Sequence, residues 1–387
     1  MKNSNRTWCE VSIDAIESNI NLFKSICNSK IMAMVKADAY GAGAIEVSKA
    51  IADKGVAMFG VALAEEALQL RSNNIKAPIL TLGYVPESLI KPLVEHDVTI
   101  SVFDTRTATI ISKIASELNK TAKIHIKIDT GMHRLGFSCD NASTVKEIHS
   151  ITCFDNIQIE GLFTHFACAD KQNDGYTKMQ FNKFMYIANL LENEGITIPI
   201  KHTCNSAAAL RFPEMHLDMI RLGISLYGFF PSEIEYNLAL NPAIQLKTKI
   251  THINKLQPGE KISYGGTFQT TRESILATIP VGYADGYSRG LSNKAQVLVN
   301  GKFAPIIGTI CMDQCIIDVT DVNNINVEDE VVLFGTQNGL SISVEELAKI
   351  NGVINYEVIS RIGKRVPRHY YQNGNITSIH DLLFNPA

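Results

Sequence analysis

Residues 98–128, VTISVFDTRTATIISKIASELNKTAKIHIKI, decide the fold of this 387-residue chain. Two short apolar runs in it, Val98–Val102 and Lys123–Ile128, are typical of buried β-strands. Between them, apolar residues recur at the spacing of one helix face: Ile110, Ile111, Ile114 and Leu118. The stretch therefore predicts a β–α–β unit, whose two strands run parallel.

The same alternation of short strands and longer helices extends in both directions from this unit. Eight candidate strands result: Ile31–Lys36, Val56–Val61, Pro78–Leu82, Val98–Val102, Lys123–Ile128, Ile157–Phe163, Pro199–Thr203 and Leu217–Arg221. Eight βα repeats predict an α/β fold with an N-terminal TIM-like (β/α)8 barrel. An open doubly wound sheet is the alternative, but the GxGxxG fingerprint that would favour it is missing.

The pattern of apolar runs and turn residues changes after about residue 236. Short alternating runs joined by Pro-Gly, Asn-Gly and Gly-Gly turns, such as KAQVLVNGKFAPIIG (294–308), predict a mainly antiparallel β domain. We therefore expect the barrel at residues 12–236 and the β domain at residues 237–387. The early strand Thr7–Ile13 precedes the barrel, and we expect the N-terminal residues 1–11 to join the second domain.

Composition excludes several classes of protein. Apolar residues make up 45% and charged residues 19%, and the net charge of −3 predicts no binding to nucleic acid or to anionic membranes. The N-terminus lacks the apolar core of a signal peptide, and the longest apolar run, Val56–Ala64, is too short to span a membrane. Eight cysteines occur without a CxxC pair, so we expect no metal site and a reducing, cytoplasmic location.

Polar residues at the predicted strand ends point to a site, because the chemistry of such barrels collects at the carboxyl ends of the strands. Lys36 closes the first strand, Lys127 and Arg134 flank the end of the fifth, and His165 follows the sixth. Lys36 is either a solvated lysine or one that forms a Schiff base, since desolvation lowers the pKa of an amine. The other three residues can equally belong to a structural network.

The loops after the seventh and eighth strands are where such barrels frequently bind phosphate. Ser206 begins an alanine-rich helix, and Gly223 with Ile224 follows Arg221 at the end of the eighth strand. Helix capping alone would explain Ser206. We therefore expect a lysine, an arginine, a histidine and two loops that can bind phosphate to lie around one end of the barrel. This set of groups suits a phosphorylated aldehyde cofactor.

Nine motifs make the sequence similar to the bacterial alanine racemase family, whose members use pyridoxal 5′-phosphate (PLP) on a fold-type III barrel. They occur in the family's order and cover almost the whole chain: VKADAYGAG (35–43), KIDTGMHRLGF (127–137), THFA (164–167), NSAA (205–208), RLGISLYG (221–228), SYGG (263–266), VGYADGY (281–287), ICMDQ (310–314) and NYEV (355–358). The sequence departs from the family pattern at Cys204 and Leu222, which neighbour functional positions.

The resemblance implies a role for each matching residue at the cofactor. Lys36 matches the lysine that holds PLP covalently, Arg221 the arginine facing the pyridine nitrogen, and His165 the histidine beside the ring and that arginine. The phosphate ligands it implies are Tyr40, Ser206, Tyr356 and the amides of Gly223 and Ile224.

The resemblance also assigns the substrate side of the site. Tyr264 matches the catalytic tyrosine, and Arg134 matches the arginine near it and the cofactor hydroxyl. Met312 and Asp313 match the segment with which a partner subunit closes the pocket, and Lys127 matches a lysine that some members carry as a carbamate. A homodimer with shared sites and a supply of D-alanine for peptidoglycan follow as expectations.

Racemisation needs a base on each face of the substrate, and the resemblance assigns Lys36 to the proton of D-alanine and Tyr264 to that of L-alanine. Because a guanidinium only donates hydrogen bonds, Arg221 would leave the pyridine nitrogen unprotonated and so limit side reactions. Four alternatives stay open: a racemase that also accepts serine, a PLP barrel decarboxylase, a PLP-binding protein without catalysis, and a structural or interaction protein whose lysine is merely solvated. The decarboxylases place a carboxylate at the pyridine nitrogen, and Arg221 speaks against them.

Overall fold

A computed structural model describes residues 6–139, 143–231 and 237–384. The chain divides into two compact units. One unit, the barrel unit, comprises Ile16–Ala39 and Ala44–Asn241. The other, the sheet unit, comprises Met1–Ala15, Tyr40–Gly43 and Pro242–Ala387.

The barrel unit contains the parallel sheet that the βα repeats predict. After strand β1 (Thr7–Ser12) of the sheet unit, its strands follow in chain order: β2 (Lys30–Met34), β3 (Met58–Val61), β4 (Ile79–Thr81), β5 (Thr99–Val102), β6 (Ala122–Asp129), β7 (Phe137–Ser138), β8 (Ile157–Phe163), β9 (Ile200–His202) and β10 (Met219–Leu222). The sheet order is β10-β2-β3-β4-β5-β6-β8-β9, with the short β7 beside β6.

The two ends of this sheet approach each other. The Asp218 amide donates to the Lys201 carbonyl at 3.1 Å, and the Arg221 amide donates to the Cys204 carbonyl at 3.0 Å. The eight-stranded barrel is therefore nearly closed, and the predicted fold class is confirmed. All eight predicted strands are present within a few residues of their expected ends. Strand β7 was not predicted, because a strand of two residues has no recognisable sequence pattern.

Helices follow most barrel strands and bury one face against them. They are α1 (Ile13–Ile26), α3 (Ala44–Ile51), α4 (Ala64–Ser72), α5 (Glu87–Glu95), α6 (Thr105–Glu117), α7 (Ser143–Thr152), α8 (Gly175–Asn193) and α9 (Ser206–Arg211). The short segment α2 (Lys36–Tyr40) has positive φ angles and is a left-handed turn. Helix α6 begins where the Asp104 side chain accepts a hydrogen bond from the Thr107 amide. Its buried stripe is Ala108, Ile111 and Ala115. Two of these three buried residues are alanines, which the predicted row of isoleucines and leucine did not include.

The sheet unit is built mainly from antiparallel strands. They are β11 (Ile244–Lys249), β12 (His252–Leu256), β13 (Lys261–Ile262), β14 (Phe268–Gln269), β15 (Ser274–Ile279), β16 (Gln296–Val299), β17 (Lys302–Ile307), β18 (Cys315–Asp318), β19 (Glu330–Gln337), β20 (Leu340–Ile342), β21 (Arg368–Gln372) and β22 (Asn375–His380), with helices α10 (Val344–Asn351) and α11 (Asn355–Ser360). Strand β1 lies between β11 and β21 and pairs with β21 in parallel.

Asn-Gly pairs make the tight turns of this sheet. Asn300 and Gly301 join β16 to β17 with φ angles of 50° and 72°. Both angles are positive, as a two-residue type I′ turn requires, and asparagine and glycine tolerate them best. Asn338-Gly339 and Asn373-Gly374 repeat the arrangement between β19 and β20 and between β21 and β22.

Among the residues described, no helix combines the length and the apolar character needed to cross a membrane.

Candidate active site

Lys36 lies just beyond β2 and opens a left-handed turn. The φ angles of the four residues that follow, Ala37 to Tyr40, are 52°, 54°, 54° and 56°. Residues with a Cβ atom lose about 1–2 kcal/mol each in this conformation. The Ala37 amide donates to Glu66 Oε1 at 2.6 Å, and Asp38 Oδ1 accepts from the Ala44 amide at 2.8 Å. Strain held by side chains in this way is typical of functional sites.

The amine of Lys36 is easier to deprotonate than that of an ordinary lysine. Burial lowers its pKa most, and Arg134 lowers it further, while the Glu66 carboxylate opposes both effects. In the described part of the chain, no acceptor lies within hydrogen-bonding distance of its nitrogen. The amine therefore has no structural partner to lose when it reacts.

Lys127, on β6, is the most unusual cation of the barrel. Its side chain is only 5% exposed, and its nitrogen lies 5.6 Å from the centre of the Phe163 ring. Burial, followed by the charges of Arg134 and Arg221, lowers its pKa to about 8. No carboxylate within the described residues forms an ion pair with it. A buried lysine without a counter-ion is costly while it is charged.

Arg134 is carried by the loop that follows β6. Asp129, the last residue of β6, accepts hydrogen bonds from the Gly131 and His133 amides at 2.9 and 3.1 Å, and these bonds shape the loop. Arg134 itself is exposed. It lowers the pKa of both Lys36 and Lys127, so the three cations lie within electrostatic range of one another.

Arg221, at the end of β10, is buried and almost fully bonded. Its Nη1 donates to the ring nitrogen Nδ1 and the carbonyl of His202, at 2.9 and 3.1 Å. Its Nη2 donates to the Thr164 and Thr203 carbonyls at 2.9 and 2.8 Å, and lies 3.2 Å from Nδ1 of His165. Across the described residues, only Nε lacks an acceptor. Burial lowers the pKa of Arg221 to about 10, which still leaves it a cation at neutral pH.

His165 is held as a neutral imidazole. Burial lowers its pKa well below the ordinary value, and Arg221, Arg134, Lys127 and Lys36 each lower it further. Because Arg221 can only donate, Nδ1 of His165 accepts, and its proton lies on Nε2. The structure thus brings together all the cations that the sequence analysis placed at the barrel mouth.

The two loops predicted to bind phosphate meet directly. Ser206 Oγ accepts a hydrogen bond from the Gly223 amide at 2.9 Å, and Asn205 caps α9 by accepting from the Ala208 amide at 3.0 Å. Ile224 begins a 3-10 helix, and first-turn amides of a helix have no partner inside it. Such amides are ready donors for an anion. The neighbouring Cys204 is buried, which raises its pKa to about 12 and keeps it a neutral thiol.

The remaining predicted residues belong to the sheet unit. Tyr40 is buried, and its ring centroid lies 6.1 Å from that of Tyr356 on α11. Burial raises the pKa of Tyr40, so its hydroxyl is a proton donor at neutral pH. Tyr264 and Met312 are exposed, at 73% and 52%.

Asp313 is held by a chain of charges. Arg365 Nη2 donates to Asp313 Oδ1 at 2.5 Å, and Arg365 Nε donates to the buried Asp285 Oδ1 at 2.8 Å. Asp285 also pairs with Arg6 at 2.9 Å. The segment that carries Met312 is thereby tied to the core of the sheet unit.

Two histidines of the barrel were missed by the sequence analysis. His202 contacts Arg221, and His125 contacts His202. The available signal was a polar residue within each of two apolar strands, in KIHIKI (123–128) and PIKHT (199–203). A lone histidine in a strand does not reveal its partner, because that partner lies on another strand.

Comparison with known proteins agrees with this geometry. Residues 11–231 match the family model described as alanine racemase, N-terminal domain, and residues 243–370 match alanine racemase, C-terminal domain. The chain is 45% identical to the alanine racemase of Clostridium tetani over 97% of its own length and 98% of that protein. It is 47% identical to the one from Methanococcus maripaludis, covering 95% of this chain and 99% of that protein. The solved alanine racemase of Clostridium difficile 630 superposes with a TM-score of 0.95 at 40% identity, covering 99% of this chain and 100% of that one.

Proposed function

The chain belongs to the alanine racemase family, PLP-dependent isomerases that interconvert L- and D-alanine, and we propose that Lys36 and Tyr264 are its two proton carriers. The observation that favours a racemase over a decarboxylase is the bonding of Arg221, which within the described residues leaves Nε as its one uncommitted donor. A donor that never accepts suits an unprotonated pyridine nitrogen, whereas a decarboxylase of similar fold would place a carboxylate there.

The residues present fit PLP. We propose that the Ser206 hydroxyl and the amides of Gly223 and Ile224 bind the phosphate, the Gly223 amide by exchanging the hydrogen bond that it now donates to Ser206 Oγ. We assign the hydroxyls of Tyr40 and Tyr356 to cofactor binding as well. Lys36 supplies the amine that reacts with the aldehyde. When bound, PLP withdraws electrons from Cα of the amino acid and makes the proton there acidic.

Lys36 and Tyr264 would then divide the proton transfer. Lys36 would accept or return the Cα proton on one face, and the lowering of its pKa by burial favours the neutral amine that this role needs. Tyr264 serves the opposite face. Lysine and tyrosine side chains both ordinarily keep their protons at neutral pH, so each depends on its surroundings to act as a base.

We assign Arg134, Met312 and Asp313 to substrate binding. Arg134 is a cation next to Lys36, well suited to a substrate carboxylate. Met312 is exposed, and its neighbour Asp313 is anchored by Arg365. A second copy of the chain could receive both Met312 and the exposed Tyr264, and we propose a homodimer in which each site is completed by its partner.

Lys127 is proposed to carry a carbamate. Its pKa of about 8 leaves a larger neutral fraction than an ordinary lysine has, and only the neutral amine reacts with CO₂. The product is an anion, which would compensate the charges of Arg134 and Arg221 that now destabilise the ammonium form. A carbamate could also accept hydrogen bonds from Arg134 and orient it.

The substrate and its setting complete the proposal. We propose that Tyr264, Tyr356 and Met312 close a small pocket, which would suit the methyl side chain of alanine. Serine adds only a hydroxyl, and an apolar pocket rejects such an analogue weakly, so slow turnover of serine is expected. All eight cysteines are free thiols, as a reducing compartment would keep them. We propose a cytoplasmic location on this ground and, from the family to which the chain belongs, a supply of D-alanine for peptidoglycan.

Solvent deuterium incorporation tests the two-base assignment. In D₂O the wild type should place deuterium at Cα of both enantiomers. Tyr264→Phe should still exchange the Cα proton of D-alanine but no longer racemise it, and Lys36→Ala should do neither. Tyr186→Phe, which changes another exposed tyrosine, is the matched control. Racemisation by Tyr264→Phe at the wild-type rate would contradict the proposal.

A further inference from the structure

A line of polar side chains runs through the barrel interior behind Arg221. Arg221 Nη1 lies 2.9 Å from His202 Nδ1, and His202 Nε2 lies 2.9 Å from His125 Nδ1. His125 Nε2 in turn lies 3.4 Å from Oε2 of Glu160. We call His202, His125 and Glu160 the imidazole line.

The chemistry of arginine determines the direction of every proton in this line. Arg221 has only donors, so Nδ1 of His202 must accept. A neutral imidazole that accepts at Nδ1 carries its proton on Nε2, and His202 therefore donates to His125 Nδ1. The same reasoning places the proton of His125 on Nε2, which faces the carboxylate of Glu160. A second proton on either ring would set two donors against each other.

Both imidazoles are expected to be neutral. Burial lowers the pKa of His202 well below its usual range, and burial is also the main reason that the pKa of His125 is lowered. Nε2 of His125 is buried and has no hydrogen bond to the described residues, since 3.4 Å is long. Its nearest anion is Glu160, whose pKa is lowered chiefly by His125.

The backbone around the imidazole line departs from regular strand pairing and leaves space for the rings. The pairing of β6 with β8 shifts register between Ile124 and His125, because Ile124 faces Ile159 and His125 faces Gly161, so β8 bulges at Glu160. Opposite it, a Cβ atom on Gly161 would lie 2.4 Å from His125 Nδ1. The His202 ring stacks on Phe163, with the centroids 4.8 Å apart and the planes at 3°.

Glu160 lies away from the barrel mouth. Its carboxylate is within 3.4 Å of Thr99 Oγ1 and 3.8 Å of Lys123 Nζ, both near the amino-terminal ends of their strands. Its side chain is 19% exposed. In the part of the chain that the structure describes, Arg221 itself has no direct ion pair. Glu160 is the anion beyond the last ring of the line, 3.4 Å from His125 Nε2.

We propose that the imidazole line positions Arg221, holding its guanidinium so that Nε alone faces the cofactor and compensating its charge through two neutral rings. Bonding of both Nη atoms removes rotation about the end of the side chain. Polarisation along the line spreads the buried positive charge toward the carboxylate. The inference rests on the proposed function, which assigns Arg221 to the pyridine nitrogen of PLP.

Histidine ¹⁵N NMR tests the proton directions without the cofactor. In the apoprotein at pH 7, His125 and His202 should both be neutral with the proton on Nε2, their signals being assigned by loss in His125→Asn and His202→Asn. Glu160→Gln should shift the Nε2 signal of His125. An Nδ1–H form or an imidazolium at either ring would overturn the inference, whatever the enzyme's activity.

The holoenzyme tests whether the line matters to the reaction. Glu160→Gln should lower kcat about tenfold with little change in KM, and should raise half-transamination relative to racemisation. Lys123→Gln, which removes the other charge beside Glu160, should resemble wild type. His202→Gln keeps an acceptor for Arg221 and should retain more activity than His202→Leu.

The outcomes separate the two proposals. Should Glu160→Gln behave as Lys123→Gln does, the positioning role is refuted even though the racemase stands. Should wild type bind no PLP, the proposed function fails, while the NMR spectra of the apoprotein still decide the arrangement of the line.

Discussion

Replacing Lys127 by methionine should abolish CO₂ binding at one buried site of the barrel. With a pKa of about 8, about a tenth of the Lys127 amines are neutral at pH 7, against roughly 0.03% for a lysine at the ordinary 10.5. The structure thus raises the reactive fraction about 300-fold, which is the ratio of these two values. Since burial is the largest cause of the lowered pKa, exposed lysines should not share this reactivity.

The assay is ¹³C NMR of the protein equilibrated with ¹³CO₂ at a constant gas pressure. Wild type should show one protected carbamate resonance, whose intensity rises with pH because deprotonation of the amine limits the reaction below the pKa. Above about pH 8, where most Lys127 amines are neutral, the increase should become less steep, because only the proton released when the carbamate forms then depends on pH. Removal of CO₂ should lower racemase activity, and a small carboxylate should partly restore activity to Lys127→Ala.

Lys123→Met is the matched control, because Lys123 lies on the same strand but is exposed. It should leave the resonance unchanged, whereas Lys127→Met should remove it. The reasoning is refuted if the resonance persists in Lys127→Met, or if its intensity is independent of pH between 6 and 8.

Three further predictions follow from the barrel. Arg221→Glu should raise half-transamination relative to racemisation, because a protonated carboxyl group can give the pyridine nitrogen a proton; product analysis that finds an equal or lower ratio would contradict this. Arg134→Ala should shift the pH dependence of PLP binding by the apoprotein to higher pH, because Arg134 lowers the pKa of Lys36. An absorbance titration measures this shift, with Arg134→Lys, which keeps the charge, as the control. An unchanged pH profile in Arg134→Ala would contradict the prediction. Gly161→Ala should destabilise the barrel by about 1–3 kcal/mol through overpacking against His125; thermal unfolding of the variant at the wild-type temperature would count against the close approach.

Local periodicity explains why the barrel strands were predictable. Each strand carries its own apolar run, and strands buried on both faces, such as β3 and β5, keep that run unbroken. The ends of the strands then located Lys36, Lys127, His165 and the phosphate loops, because a parallel barrel gathers those ends at one mouth.

The left-handed turn after Lys36 was not predictable in the same way. Its residues, KADAY, include no glycine and no asparagine, so propensity would not place four positive φ angles there. A hydrogen bond to Glu66, 29 residues further along the chain, stabilises it, together with the bond between Asp38 and the Ala44 amide. Tertiary contacts have overridden local preference at this point.

The sequence by itself determined the α/β class, the family and the identity of the reactive side chains, because these depend on residue order and on short-range spacing. The bonding of Arg221, the position of the proton on each histidine, and the burial of Lys127 without an ion pair among the described residues emerged only from the folded chain. Those properties depend on contacts between strands that are far apart in the sequence. Such contacts set the burial of each group and the direction of its hydrogen bonds, and no local sequence pattern reveals them.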